Sequence, residues 1–267
     1  MTTTPSRSFK PVEAVSRALN VLRVVNEEKQ STVSSIHQRT GLDKATIVRM
    51  LETLSHEGYV ARDLHRAVYS PTARTLLLSQ GFEASRWIAS IAEPTLERFR
   101  NSIGWPSDIA LFDRDAMVVV QTSRGSGPLS FNRQPGFRSP MLVTSIGLTY
   151  LAFCEAAERE RIIDRLAASP EQWNDLSRDP ESLAGVLEAI RRQGYAVMSD
   201  DYSERVFAGN VWAVGVPVIH EGVLFATMNI MLLKNAVSLK QALQRLLPQL
   251  RDAAAEIAAD LARSGHP

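Results

Sequence analysis

Four residues in one short segment pose the first chemical question: Lys44, Thr46, Arg49 and Thr53. On a helix they share the face opposite Ile47, Met50, Leu51 and Leu54, which recur at i, i+3, i+4 and i+7. Short hydroxyls and long cationic side chains near a helix N-terminus fit the major groove of duplex DNA. There they can hydrogen-bond base edges. An amphipathic helix with a merely solvated face would carry the same residue types, so the surrounding elements must decide between the two.

Those elements are legible. Helical spacing runs over residues 13–26, where Val15, Ala18, Leu19, Leu22 and Val25 form a stripe. Further helices are predicted over 33–40, with Thr32 as N-cap and Gly41 past its end, and over 44–57, capped by Asp43 and closed by Gly58. Two short helices joined at a glycine make a helix-turn-helix. Residues 59–62 and 67–70 then read as a β-hairpin around Asp63, Leu64, His65 and Arg66. Its basic positions, Arg62, His65 and Arg66, would touch phosphate or enter the minor groove, unless the tip is a solvated turn. Charge agrees with the first option. Residues 1–80 hold eleven Lys and Arg against seven acids, a surplus of four; the remainder holds nineteen against twenty-two, a deficit of three. A basic head on an acidic body points to a polyanion partner for the head.

A second constellation lies further along. Thr144, Ser145, Ile146 and Gly147 open a helix predicted over 144–154. Unpaired amides and the helix dipole at such an end attract anions, and the amides of Ser145, Ile146 and Gly147 could hold a carboxylate. A plain N-cap by Thr144 or Ser145 is the competing reading. Gly147 would let a ligand or backbone approach closely. Strands are predicted over 211–219 and 223–232. Trp212 begins the first, and Asn229 and Met231 share one face of the second. Asn229 is an amide in an apolar strand, suited to a ligand hydroxyl or to a structural bond. Met141, Met228 and Met231 offer adaptable walls or ordinary core. Arg133 and Arg138 are candidates to pair with a carboxylate, or simply surface residues.

The remaining pattern organises these sites. Residues 1–10 are polar and expected to be disordered. A winged helix-turn-helix is expected over 11–71 and a connector helix over 72–85. Residues 86–262, where helices alternate with strands, read as one α+β domain. Within it a helix is predicted over 87–102, kinked or broken at Pro94, and a final helix from Ser238, bent at Pro248. Cys154 is the single cysteine, which excludes an intrachain disulfide and a multi-cysteine metal site and suits a cytoplasmic setting. No long apolar run or leader-like start suggests membrane targeting.

The chain resembles the IclR family of transcription regulators. The likeness rests on Val15-Ser16-Arg17-Ala18-Leu19, Thr40-Gly41-Leu42 with Thr46 and Arg49, Leu51-Glu52-Thr53-Leu54, and Glu57-Gly58-Tyr59-Val60. In the second domain it rests on residues 115–120 and on Gly194-Tyr195. His37 departs from the small residue usual at that point. Trp105-Pro106-Ser107-Asp108, Ser130-Phe131 with Arg133, and residues 147–154 resemble the subgroup of activators of hydroxyphenylpropionate catabolism. The resemblance implies an all-α winged helix-turn-helix joined by a helix to a GAF-like α+β effector domain. It implies that Ser145, Ile146, Gly147, Asp201, Trp212, Asn229, Met231 and Arg133 surround an effector. The implied partners are double-stranded operator DNA and an aromatic carboxylic acid. A second copy of the chain is implied too, as a dimer extended in one option to a tetramer, and RNA polymerase for an activator. No cofactor, metal or membrane is implied.

Three rivals compete with this reading. A repressor answering to a small aliphatic or keto acid keeps the architecture and changes the ligand. An enzyme would need a catalytic cluster, yet His37, His56, His65, His220 and His266 are scattered and Cys154 sits in an apolar stretch. A DNA binder without ligand would leave the large second domain unexplained.

Overall fold

The computed structural model describes residues 10–28, 30–63, 65–79, 83–123 and 134–265. The predicted tail over 1–10, apart from Lys10, and the candidates Ser130, Phe131 and Arg133 therefore lie outside the described residues, as does Leu64 of the hairpin. The chain divides into two compact units, Met1–Phe82 and Glu83–Pro267.

In the first unit three helices, α1 (Glu13–Glu28), α2 (Val33–Thr40) and α3 (Lys44–His56), pack around a small core. Val21, Val24, Val25, Ile36, Ile47 and Leu51 are fully excluded from solvent, and Met50 is only partly covered. Local chemistry sets the helix ends. Thr32 and Ser35 form a reciprocal capping box on α2, and Gly41, at φ 68°, turns the chain out of it. His37 is exposed rather than packed between the helices. Its Nδ1 lies 2.7 Å from the Leu42 carbonyl, which only accepts, so Nδ1 carries the proton and ties the turn. The apolar stripe of α1 is split: Leu22 and Val25 are buried, whereas Val15 and Leu19 are more than half exposed.

The unit is not all-α. Strands β1 (Val60–Asp63) and β2 (Val68–Pro71) pair antiparallel with Arg62 opposite Tyr69. Ser31, between α1 and α2, exchanges two 2.8 Å backbone hydrogen bonds with Tyr69 and anchors the hairpin. The connector predicted over 72–85 is not one α-helix. Thr72 accepts from the Arg74 amide and starts a 3₁₀ helix over Ala73–Ser79. The next α-helix begins only at Glu83.

The second unit is built on one antiparallel sheet in the order β5-β4-β3-β8-β7-β6. These strands are β3 (Ser107–Asp113), β4 (Ala116–Thr122), β5 (Arg138–Pro140), β6 (Ala196–Val197), β7 (Val211–His220) and β8 (Val223–Leu233). Between β7 and β8 Glu221 and Gly222 both take positive φ, the geometry that suits a two-residue hairpin. One sheet face carries Ile109, Leu111, Val214, Val216, Met228 and Ile230. It packs on α4 (Glu83–Ile103) and α10 (Leu247–Ser264). Pro94 does not break α4, which is held by buried Ile88, Ala92, Leu96 and Phe99. Pro248 does act: it lacks an N–H, and the final helix is interrupted at Leu246 between α9 (Leu239–Arg245) and α10.

The opposite face receives α5 (Ser145–Phe153), backed by α6 (Ala156–Ala167) and α7 (Pro180–Gln193). Helix α5 is apolar on nearly all sides and seven of its nine residues are buried, so it must lie inside the domain. Two glycines permit its close approach. A Cβ on Gly215 would come within 2.7 Å of the Ser145 carbonyl oxygen. A Cβ on Gly147 would come within 2.3 Å of the Met141 carbonyl oxygen. Gly147→Ala is expected to destabilise the protein by about 1–3 kcal/mol through this overpacking. Urea unfolding monitored by tryptophan fluorescence checks this, and an unchanged midpoint would show that α5 has room to spare.

Candidate nucleic-acid interface and effector site

Helix α3 starts at Asp43, whose carboxylate accepts from the Thr46 amide at 2.9 Å and its hydroxyl at 2.6 Å. The Thr46 hydroxyl, its amide and neighbouring amides hold the Asp43 carboxyl below the ordinary carboxylate range. The Thr46 hydroxyl proton is thus committed to the cap. The Thr53 hydroxyl likewise donates to the Arg49 carbonyl at 2.9 Å. Lys44 and Arg49 are exposed on this face, and neither has an acidic partner within 4 Å among the described residues. Two other cations of the helical part are neutralised: Arg39 meets Glu27 at 2.6 Å and Glu28 at 3.6 Å, and Arg23 meets Glu27 at 2.8 Å.

The hairpin tip is shaped by Asp63, whose carboxylate accepts the amides of His65 (2.9 Å) and Arg66 (3.2 Å). Arg62 lies 5.7 Å from the Tyr69 ring centre, so its guanidinium is stacked on the hairpin base. His65 and Arg66 are exposed at the tip. The long cations available on α3 are therefore Lys44 and Arg49, and the tip adds Arg66.

In the second unit the candidates divide between the two sheet faces. Gly215 faces α5 and pairs with Asn229; Ala213 pairs with Met231. Asn229, Met231 and the N-terminus of α5 therefore share one layer. Trp212 pairs with Leu232 on the other face, among the α10-side residues, and its indole N–H donates to the Val237 carbonyl at 3.2 Å. Met228 is also on that face. Their strand positions alone do not reveal this, because neighbouring residues on a strand point opposite ways. Asp201 lies exposed on α8 (Asp200–Phe207), a helix not anticipated from the sequence, with Arg205 at 2.8 Å. Arg138 is engaged by Asp113 and Asp115.

At the start of α5, Thr144 caps the helix by accepting the Gly147 amide at 3.2 Å. That amide is committed, and Gly147 serves the contact with Met141. The amides of Ser145 and Ile146 remain as the first two of the helix, beyond reach of any i−4 carbonyl, on residues 1% exposed. Asn229 has a structural bond: its Oδ1 accepts the Asp108 amide at 2.9 Å. The same layer holds residues whose proximity sequence order conceals. Asp108 pairs with Asn229 and Thr122, and its carboxylate accepts the Thr122 hydroxyl at 2.7 Å.

Burial, reinforced by Glu158, pushes the Cys154 thiol up to about 11, so it stays protonated near neutrality. Among the described residues no cluster of three His, Cys, Asp or Glu could hold a metal, and no helix is long and apolar enough to cross a membrane.

A three-helix unit with a wing, followed by a sheet domain with a buried helix end, is the architecture of a two-part regulator. The IclR helix-turn-helix domain matches residues 14–64 and the bacterial transcriptional regulator IclR C-terminal domain matches residues 80–259. The chain belongs to the IclR family of bacterial, DNA-binding transcription regulators. It is 26% identical over 247 residues to the Pca regulon regulatory protein of Pseudomonas putida, covering 91% of this chain and 82% of that one. It is 25% identical over 259 residues to the HTH-type transcriptional regulator KdgR of Escherichia coli, covering 96% and 95%. Its fold is similar to that of an IclR homolog from Microbacterium hydrocarbonoxydans complexed with 4-hydroxybenzoate. The TM-score is 0.66 at 22% identity, covering 95% of this chain and 100% of that chain.

The α3 face and the hairpin tip should respond differently to truncation. Arg49→Ala is expected to cost about 1–3 kcal/mol of operator affinity and relax preference at one base pair. Arg66→Ala is expected to weaken all sequences about equally and reduce the salt slope by about 1. Binding titrations on an operator and its point variants at several salt concentrations check both. Interchanged results would reverse the assignment.

Proposed function

We propose that this regulator activates an aromatic-acid catabolic operon in the cytoplasm and senses an aromatic carboxylic acid. The second unit acts as a GAF-like sensor, with the ligand on the α5 face of the sheet. The carrying observation is the buried start of α5: two first-turn amides without intrahelical partners, over a sheet face bearing Asn229 and Met231. An anion there satisfies both amides and the helix dipole. The aromatic ring is supported by the likeness to hydroxyphenylpropionate-type activators and by the fold neighbour that is a complex with 4-hydroxybenzoate. Trp212, on the far face, and Asp201, at the surface, are not contacts in this reading.

The assembly is a symmetric dimer on a near-palindromic operator, since one reader helix spans few base pairs. Val15 and Leu19 of α1 and Leu77 and Leu78 of the 3₁₀ helix are 54–61% exposed and supply apolar surface for it. Pairing of second units to a tetramer and contact with RNA polymerase extend the proposal. Leu19→Glu is expected to shift the sedimentation profile towards monomer and to weaken operator binding. An unchanged oligomer would place the interface elsewhere.

The acid site is tested without disturbing Gly147. Thr144 has φ −103° and ψ 150°, the conformation favoured before proline, and Ser145 is the first helical residue, where proline is tolerated. Ser145→Pro therefore removes one amide and keeps the helix. It is expected to cost about 1.5–3 kcal/mol in binding 4-hydroxybenzoate or 3-(3-hydroxyphenyl)propionate, roughly tenfold to a hundredfold. Calorimetry on both proteins decides. Binding of pyruvate but of no aromatic acid would support the keto-acid repressor instead, and unchanged affinity in folded Ser145→Pro would move the carboxylate away from α5.

A further inference from the structure

Three residues, Gly41, Leu42 and Asp43, join α2 to α3. Gly41 turns the chain, and its amide donates to the His37 carbonyl at 2.9 Å. Asp43 already serves α3 as its N-cap. Leu42, between them, has its backbone gripped on both sides by side chains of α2. Its amide donates to the Thr40 hydroxyl at 3.3 Å, and that hydroxyl is anchored on the Ile36 carbonyl at 2.7 Å. Its carbonyl accepts from His37 Nδ1 at 2.7 Å. The His37 side chain is otherwise exposed and takes no part in the core.

The tie matters because packing alone fixes α2 weakly. Of its eight residues only Ile36 is buried, with Val33 partly covered against the same core. One buried side chain holds a distance but leaves rotation about itself open. Helix α3 is seated through Ile47, Leu51 and Leu54, so the residues ahead of Ile47 take their direction from the joint. Direction is what base reading needs. A hydrogen bond weakens steeply as its angle closes, and a bidentate contact to a base edge needs two well-aligned bonds at once. A long cation on a phosphate tolerates a shift of its backbone, because the side chain can follow.

We propose that His37 is a positioning residue for base reading: by holding the Leu42 carbonyl it sets the angle at which α3 presents Lys44 and Arg49 to the major groove. His37 itself touches no DNA in this arrangement. It sharpens the preference for one sequence over another and adds nothing to the affinity for DNA as such. The role presupposes that α3 reads bases and that Arg49 contacts one.

The test selects duplexes from a random-sequence pool with the full-length wild type, Arg49→Ala, His37→Ala and His37→Asn. The wild-type consensus duplex and an unrelated duplex are then titrated at several salt concentrations. His37→Ala is expected to bind the consensus roughly threefold to tenfold more weakly, the range for one lost hydrogen bond, and to show a flattened base preference. Its affinity for the unrelated duplex is expected to stay within about twofold, and its salt slope to be unchanged, since no phosphate contact is lost. Alanine is the better helix former, so a weakened helix does not account for the fall. His37→Asn is expected to recover the wild-type preference, with affinity within about twofold. The asparagine amide nitrogen stands as many bonds from the backbone as Nδ1 and donates to the same carbonyl. A salt slope lowered by about one in His37→Ala would make His37 a phosphate contact and overturn the positioning role. A folded His37→Asn that behaves like the alanine variant would overturn it too. If Arg49→Ala changes the base preference and His37→Ala does not, the positioning role alone fails. If neither changes it, base reading by α3 fails as well.

Discussion

The second unit depends on the burial of the N-terminal end of a helix. Helix α5 is sheathed in protein, and its first turn points into the layer above the sheet rather than into water. Helix ends elsewhere in the chain are capped at exposed positions, as at Thr32, Asp43 and Asp179. Here Thr144 satisfies one amide and the geometry of a helix leaves the next two without intrahelical partners. A buried donor left without a partner costs about 1–3 kcal/mol. The glycine contacts at 147 and 215 enforce the arrangement, since neither backbone approach survives a Cβ. In the proposed reading, an anion would meet these two amides.

The sheet supplies the complementary half. Its α5 face is apolar where Ala110, Met117 and Val119 meet α5 and its supporting helices. It turns polar where Thr122, Asp108 and Asn229 stand side by side. On the far side of β3 the Arg100 guanidinium bonds the Ser107 side chain and carbonyl at 2.9 Å each. Burial lowers its pKa and the charge of Asp108 raises it back in part. The backbone at the start of β3 is thereby held from behind.

Much of this was legible in the sequence where a local signal decides the outcome. The capping residues Thr32, Asp43 and Thr144 and the terminating glycine Gly41 mark helix boundaries directly, and the gap between the strands read over 211–219 and 223–232 marks the β7–β8 turn. Strands β5 and β6 are not legible because two or three residues carry no period, and α8, two turns long, is too short to show one clearly. The connector failed for a related reason: three consecutive leucines, Leu76, Leu77 and Leu78, look helical in composition but end in a 3₁₀ turn that leaves them exposed. The candidate site suffered most from pairing, which sequence order does not encode. Trp212 and Asn229 looked like neighbours and lie on opposite faces, while Asp108 and Asn229, 121 residues apart, share a hydrogen bond. Gly147 was conspicuous for the right reason, close approach, although the approaching group is Met141.

The bridge between Ser31 and Tyr69 gives the wing two mechanical regimes. A hairpin of two four-residue strands alone is marginal in water. By borrowing the backbone of Ser31 it gains a third pairing segment seated on the α1–α2 junction, and Tyr69 is sealed into the same core as Ile36 and Leu51. Amides at the base of the wing should then exchange with solvent only as slowly as the helical core opens. The tip beyond Asp63 lies outside that pairing and can open at much lower free energy. A wing clamped at its root and yielding at its end keeps its base fixed on the helical core while its basic tip moves more freely.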